Sequence, residues 1–143
     1  LDPPTVSNIV AMAAPGHGCG RYRADEIDRV LMTAFTAFAA AVDETARLAG
    51  GAARPAIVHT GFWGCGAFGG NRVLMAALQL LAADLAGVDR LVFHTGTDAA
   101  GAAAFAKAER VAEAERQAWP CAPDALVDRL AARGFAWGVG DGN

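Results

Sequence analysis

Two hydrophobic patterns alternate along this chain. Short unbroken apolar runs occur at Asn8 to Ala13 (NIVAMA), Pro55 to Thr60 (PAIVHT) and Leu91 to Thr95 (LVFHT), each the length of a buried strand. Between them the apolar positions take helical spacing. From Asp25 to about Leu48, Ile27, Val30, Leu31, Ala34, Phe38, Ala41 and Val42 form one stripe. Asp25, Glu26 and Asp28 put acidic charge in its first turn, and Gly50 and Gly51 end it. A second helix is expected from Asn71, as its cap, to Gly87 as its C′ residue, with Val73, Leu74, Ala77, Leu78, Leu81 and Leu85 inward. A third, alanine-rich helix runs from about Ala99 to Ala118, with Lys107, Glu109, Arg110, Glu113, Glu115 and Arg116 expected as a solvated face. Pro120 and Pro123 break it, and Asp124 to Arg133 makes a last short helix closed by Gly134. Leu1 to Ser7 reads as an extended lead-in, and the glycine-rich tail from Phe135 to Asn143 as frayed.

Strand, loop, helix and strand between Pro55 and Thr95 constitute a βαβ unit, which requires a parallel strand pair. The fold class is therefore α/β with a mostly parallel sheet, in a single domain over residues 1–143. Ligands of such sheets collect beyond the carboxyl ends of the strands. Two loops lie there, the stretch after Thr60 and Gly96 to Gly101.

Composition narrows the function classes. A formal charge of −3 gives no broad basic footprint for nucleic acid or a membrane surface. The 54% hydrophobic content is largely alanine, and no apolar run approaches the roughly 18 residues of a membrane span. The three cysteines, Cys19, Cys65 and Cys121, are widely spaced and odd in number, which argues against a disulfide framework and for a reducing, cytoplasmic setting. No signal peptide is legible. The chain begins at Leu1 close to an interior-looking strand, so a longer parent protein is expected.

The candidate chemistry concentrates at Thr60-Gly61-Phe62-Trp63-Gly64-Cys65-Gly66-Ala67-Phe68-Gly69-Gly70-Asn71. Five glycines in ten residues allow positive φ and close approach to a ligand. A strand, a glycine loop and a helix N-terminus together make an anion cradle. Gly64 to Gly69 also matches GxGxxG. The dinucleotide fingerprint needs an acidic residue about 20 positions on, at the end of the next strand; Asp89 starts that strand and Asp98 lies past its end. Cys65 is a possible nucleophile with His59 or His94 as base, set against a small buried cysteine between glycines. His17, Cys19, His59 and Cys65 have no zinc-site spacing, so no metal is expected. Arg21 and Arg23 are either an anion clamp or solvated surface. Tyr22, Trp119 and Trp137 carry no pattern.

The glycine stretch resembles the TGxWGCGAFGG motif of poly(ADP-ribose) glycohydrolases, macrodomain-type enzymes that degrade ADP-ribose polymers. Asn8 to Ala13 is similar to that family's NIVAIDA strand, and Arg21-Tyr22 with Ile27-Asp28-Arg29 to its next segment. The likeness runs from about Asn8 to Arg133. It implies a macrodomain-like three-layer α/β/α fold, incomplete at its N-terminal side, and ADP-ribose or its polymer as ligand, with no cofactor. It also implies a role for the loop: wrapping the diphosphate and distal ribose through Gly61, Phe62, Gly64, Cys65, Gly66, Ala67 and Phe68, with Phe68 packing on the ribose. Thr95 falls near the family's adenine-side aromatic, and Phe62 stands where the family often has asparagine. The family's acid/base glutamate belongs to an upstream Gln-Glu-Glu segment, and this chain contains no such sequence, so no catalytic residue is assigned in it. Glycoside cleavage needs a positioned carboxylic acid. The expected activity is hydrolysis of ribose–ribose O-glycosidic bonds in a longer protein. The alternatives are a non-catalytic ADP-ribose reader or degenerate remnant and, lower, an NAD-type oxidoreductase.

Overall fold

The computed structural model describes residues 8–138 except 17, 98 and 121. The elements run α1 (Ala24–Ala49), β1 (Ile57–Gly61), α2 (Arg72–Ala86), β2 (Arg90–His94), α3 (Ala99–Arg116) and α4 (Pro123–Ala132). The βαβ unit forms as the pattern predicts, with β1 and β2 parallel and Thr60 opposite Phe93. Each helix starts and stops where its local chemistry directs. The Glu26 carboxylate accepts from the Arg23 N–H at 2.8 Å in the first turn of α1, and Gly50 closes that helix in the left-handed region. Asn71 accepts from the N–H groups of both Val73 and Leu74, each at 3.1 Å, and Gly87 is the left-handed residue after α2.

α2 is the centre of the molecule. Leu74 to Gln79 and Leu81 to Ala83 are all buried, more than one helical face can supply. α1 packs on one side of it and α3 on another, while α4 lies against α1. Ile27, Val30, Leu31, Ala34 and Phe38 from α1, Leu74, Leu78 and Leu81 from α2, and Leu126, Val127 and Leu130 from α4 form one core. Ala76, Ala77 and Ala108 make a smaller cluster where α2 and α3 approach closely, roofed by Phe62, Phe93 and Phe105. The sheet turns Val58 and Leu91 toward the main core and Phe93 toward the smaller one. Its opposite face carries the exposed Ile57, His59 and His94. Asp89 accepts from the Ala56 N–H at 2.8 Å and so ties the starts of the two strands together. No helix among the described residues is long and apolar enough to cross a membrane.

Four expectations need correction. Leu85, expected on the inward side of α2, is 48% exposed. Asn8 to Ala13 is not a strand: β1 and β2 pair only with each other among the described residues, which leaves the segment no ladder. It passes beside α1 with Met12 against the core and Ile9 80% exposed. Glu115 does not belong to the solvated face of α3, being only 2% exposed. Its carboxylate accepts from Arg129 and Arg133 of the α4 region at 2.7 Å each. Burial alone would raise this carboxyl, but the two guanidinium groups outweigh it and hold it below the usual glutamate range. Finally, Phe135 to Gly138 are not frayed, since they bond to Tyr22, Gly20, Asn71 and Gly69. Trp137 stacks on Tyr22 with ring centroids 4.1 Å apart, so two of the three residues that carried no pattern belong to one contact. The calls on Leu1 to Ser7, His17, Asp98, Cys121 and residues 139–143 lie outside the described residues.

Candidate ligand-binding site

The glycine loop leaves β1 through a tight turn, with the Trp63 N–H donating to the Gly61 carbonyl at 2.8 Å. Two β-turns follow. Cys65 donates to Phe62 at 3.1 Å and Gly69 to Gly66 at 2.9 Å, and a return bond from Gly70 to Gly64 at 2.8 Å closes the loop on itself. Two glycines are required for distinct reasons. Gly64 has φ of 73°, in the left-handed region, and a Cβ at Gly70 would lie 2.6 Å from the Gly64 carbonyl oxygen.

The loop is anchored from below by Gln79, which is completely buried on α2. Its amide donates to the Gly61 carbonyl at 3.0 Å and to Met75 at 3.1 Å, and its oxygen accepts from the Thr60 hydroxyl. Buried amides in proteins are almost always satisfied this way. Nothing in the hydrophobic pattern marked Gln79. The one available signal was a glutamine on the inward side of an otherwise apolar helix.

The loop leaves some of its backbone donors unused. The backbone N–H groups of Gly64, Gly66 and Ala67 donate to no atom among the described residues. The first N–H groups of α2 are different, since Asn71 already takes those of Val73 and Leu74. The unused backbone donors here therefore belong to the loop, and the start of α2 adds its dipole rather than free donors of Val73 and Leu74. Arg72, in the first turn of α2, adds a positive charge and lies 5.3 Å from the centre of the Phe62 ring. It was not singled out from the sequence.

The side chains divide into inward and outward. Phe62 meets Phe93 edge-on at 5.1 Å, and Phe93 stacks on Phe105 at 4.6 Å, so the Phe62 ring belongs to the packing under the loop. Phe68 is 39% exposed at the turn between Gly66 and Gly69. Cys65 is half-buried, with its Sγ 3.6 Å from the Trp63 carbonyl. Burial pushes its thiol up to about 12, with Arg72 pulling the other way, which favours the thiol over the thiolate that a nucleophile needs. Thr95 is half-buried in the loop after β2.

The remaining candidates do not join this site. His59 Nδ1 and His94 Nε2 are 3.1 Å apart, stacked on the exposed sheet face, and neither bonds to Cys65. Asp89 accepts from Ala56 at the starts of the strands, the opposite end of the sheet from the glycine loop. Arg23 pairs with Asp25 at 2.9 Å and Glu26 at 3.4 Å, and Arg21 lies along Gly134. The two arginines do not form a clamp. Cys19 is exposed, and no three potential metal ligands come together among the described residues.

The βαβ core and the glycine loop define a class, an α/β domain with a glycine-rich loop at the carboxyl end of its parallel strands. The family model described as "Poly (ADP-ribose) glycohydrolase (PARG), Macro domain fold" matches residues 5–103. The chain belongs to that family. The match takes in α1, β1, the glycine loop, α2 and β2 and ends within α3, short of the expected limit near Arg133. Comparison with curated proteins gives no match.

Proposed function

We propose that this chain supplies the ADP-ribose-binding loop of a protein that hydrolyses ribose–ribose O-glycosidic bonds in poly(ADP-ribose). The backbone N–H groups of Gly64, Gly66 and Ala67 hold the diphosphate, and Phe68 packs its exposed ring against the distal ribose. Gly61, Phe62 and Cys65 shape the loop, and Thr95 lies toward the adenine. The observation that carries this reading is the set of three loop N–H groups without a partner among the described residues, beside a partly exposed aromatic and inside the matched family segment. Diphosphate oxygens are suited to such donors because charge-assisted hydrogen bonds to backbone N–H are roughly twice as strong as neutral ones.

The chemistry itself needs a carboxylic acid to protonate the leaving oxygen. The residues of the loop include none, and the sequence has no Gln-Glu-Glu. That observation favours a second reading for the chain taken by itself, a reader that binds ADP-ribose without cleaving its polymer.

Titration calorimetry with ADP-ribose, paired with a polymer-degradation assay, tests both. Saturable binding supports the loop assignment, and polymer turnover separates the hydrolase from the reader. Absence of ADP-ribose binding at millimolar ligand removes both.

A further inference from the structure

Four residues beyond α4, Phe135 to Gly138, make an extended segment that bonds alternately to two neighbours. Its odd positions face one side: the Phe135 carbonyl accepts from the Tyr22 N–H at 2.9 Å, and the Trp137 N–H donates to the Gly20 carbonyl at 2.9 Å. Arg21 and Ala136 are thereby an antiparallel bridge. Its even positions face the other side: the Ala136 carbonyl accepts from the Asn71 side-chain amide at 2.9 Å, and the Gly138 N–H donates to the Gly69 carbonyl at 2.7 Å. This alternation follows from extended backbone, whose polar groups point to opposite edges at successive residues. The segment therefore stitches Gly20–Tyr22 to Gly69–Asn71, where the glycine loop enters α2.

Side chains lock the same junction. The Trp137 ring lies flat on Tyr22, and a Cβ at Gly18 would collide with its indole at 2.0 Å. The Tyr22 hydroxyl, on the far side, accepts from the Asn71 N–H at 3.0 Å. Asn71 is thus held by Tyr22, by Ala136 and by its own bonds to Val73 and Leu74. The Trp137 Nε1 is buried with no partner among the described residues, so the indole serves here as a flat apolar plate.

We propose that Phe135–Gly138 is a positioning strap for the glycine loop. By fixing Gly69 and Asn71 it fixes the Gly66–Gly69 turn and hence the aim of the Gly66 and Ala67 N–H groups. The ligand-affinity part of this inference rests on the ADP-ribose reading above, whereas the ordering of the loop does not. Trp137 and Gly138 act through the loop and touch no ligand. They also lie outside the segment that the family model matches.

The test compares Trp137→Ala, Trp137→Phe and Gly138→Pro with the parent chain, by amide hydrogen exchange and by ADP-ribose calorimetry. Trp137→Ala is expected to lower protection of the Gly69 and Gly70 amides at least tenfold and to weaken ADP-ribose binding by a similar factor. Trp137→Phe keeps the plate on Tyr22 and loses no hydrogen bond, so it restores both readouts to within about twofold. A role confined to general stability would not give that rescue in step with loop protection. Gly138→Pro deletes the donor to Gly69 with Trp137 still seated, and decides the matter if Trp137→Ala fails to fold. Retained Gly69 and Gly70 protection in a folded Trp137→Ala or Gly138→Pro chain overturns the strap. A parent chain that fails to bind ADP-ribose overturns the functional reading instead, and the exchange data still judge the strap.

Discussion

Gln79 holds the Gly61 carbonyl at 3.0 Å from the middle of α2, so the most buried polar side chain of the central helix fixes the entrance of the glycine loop. Replacing it by leucine would keep the volume, take from the Thr60 hydroxyl its acceptor, and leave the Gly61 carbonyl with the Trp63 N–H alone. Leaving a buried group unsatisfied costs about 1–3 kcal/mol. Gln79→Leu is expected to lose about that much in denaturant unfolding. It should also speed hydrogen exchange at Cys65, whose bond to Phe62 sits one turn beyond the anchor. Unchanged exchange there would mean that the loop holds its shape without Gln79.

Ala67 offers a way to remove one of the proposed ligand donors and little else. It is the second residue of the turn closed by Gly69 to Gly66, and neither it nor Phe68 has positive φ. Proline is favoured at that position of such a turn, and glycine before it tolerates the restriction that proline imposes. Ala67→Pro is therefore expected to leave the melting temperature unchanged or slightly higher. It should weaken ADP-ribose binding by about 1.5–3 kcal/mol, the value of one hydrogen bond to a charged group. Equal affinity in calorimetry would take the Ala67 N–H out of the site.

The elements were largely legible in the sequence, and the contacts between them were not. Asn71 and Gly87 mark the ends of α2 by local chemistry that needs no tertiary context, and both hold in the structure. The run from Asn8 to Ala13 looked like a strand because an apolar β-branched run reports burial, whereas a strand also needs an unpaired ladder beside it. Glu115 followed the helical rhythm of its charged neighbours, and only the arrival of Arg129 and Arg133 from the next helix makes its burial tolerable. The loop stood out through its glycines, but the division of its aromatics did not. That Phe62 faces in and Phe68 faces out depends on Phe93 and Phe105, far along the chain.

Glu115 should make stability depend on pH. Its folded carboxyl is held below the ordinary value of 4.5. Its contribution is then fully present above that value and is lost as pH falls through the lower folded value. Arg129 and Arg133 are about one-third exposed, so water softens the loss of their partner. Glu115→Gln is expected to cost roughly 1–3 kcal/mol at neutral pH, below the range for fully buried pairs. The acid limb of its melting-temperature profile should be shallower than the parent's below about pH 5, because the titrating group is gone. Parallel acid limbs in parent and variant would assign the acid sensitivity elsewhere.

Phe62 and Phe68 sit six residues apart in one loop and should fail in opposite ways. Phe62 is packed against Phe93 and beneath Arg72, so Phe62→Ala removes core contacts and is expected to destabilise the fold by about 2–4 kcal/mol, somewhat less than a fully buried aromatic. Phe68 is partly exposed, so Phe68→Ala should change stability by no more than about 0.5 kcal/mol, as for ordinary surface sites. On ADP-ribose the order reverses. Loss of the Phe68 ring should weaken binding by roughly 1–3 kcal/mol if it covers the ribose, the range for an aromatic contact together with its buried area. A folded Phe62→Ala chain, whose loop donors remain, should bind closer to the parent. Thermal unfolding and calorimetry on the same two variants give four numbers, and the assignment stands only if they cross. If Phe68→Ala binds as the parent does, the exposed ring is outside the site and the diphosphate is held by the backbone donors alone.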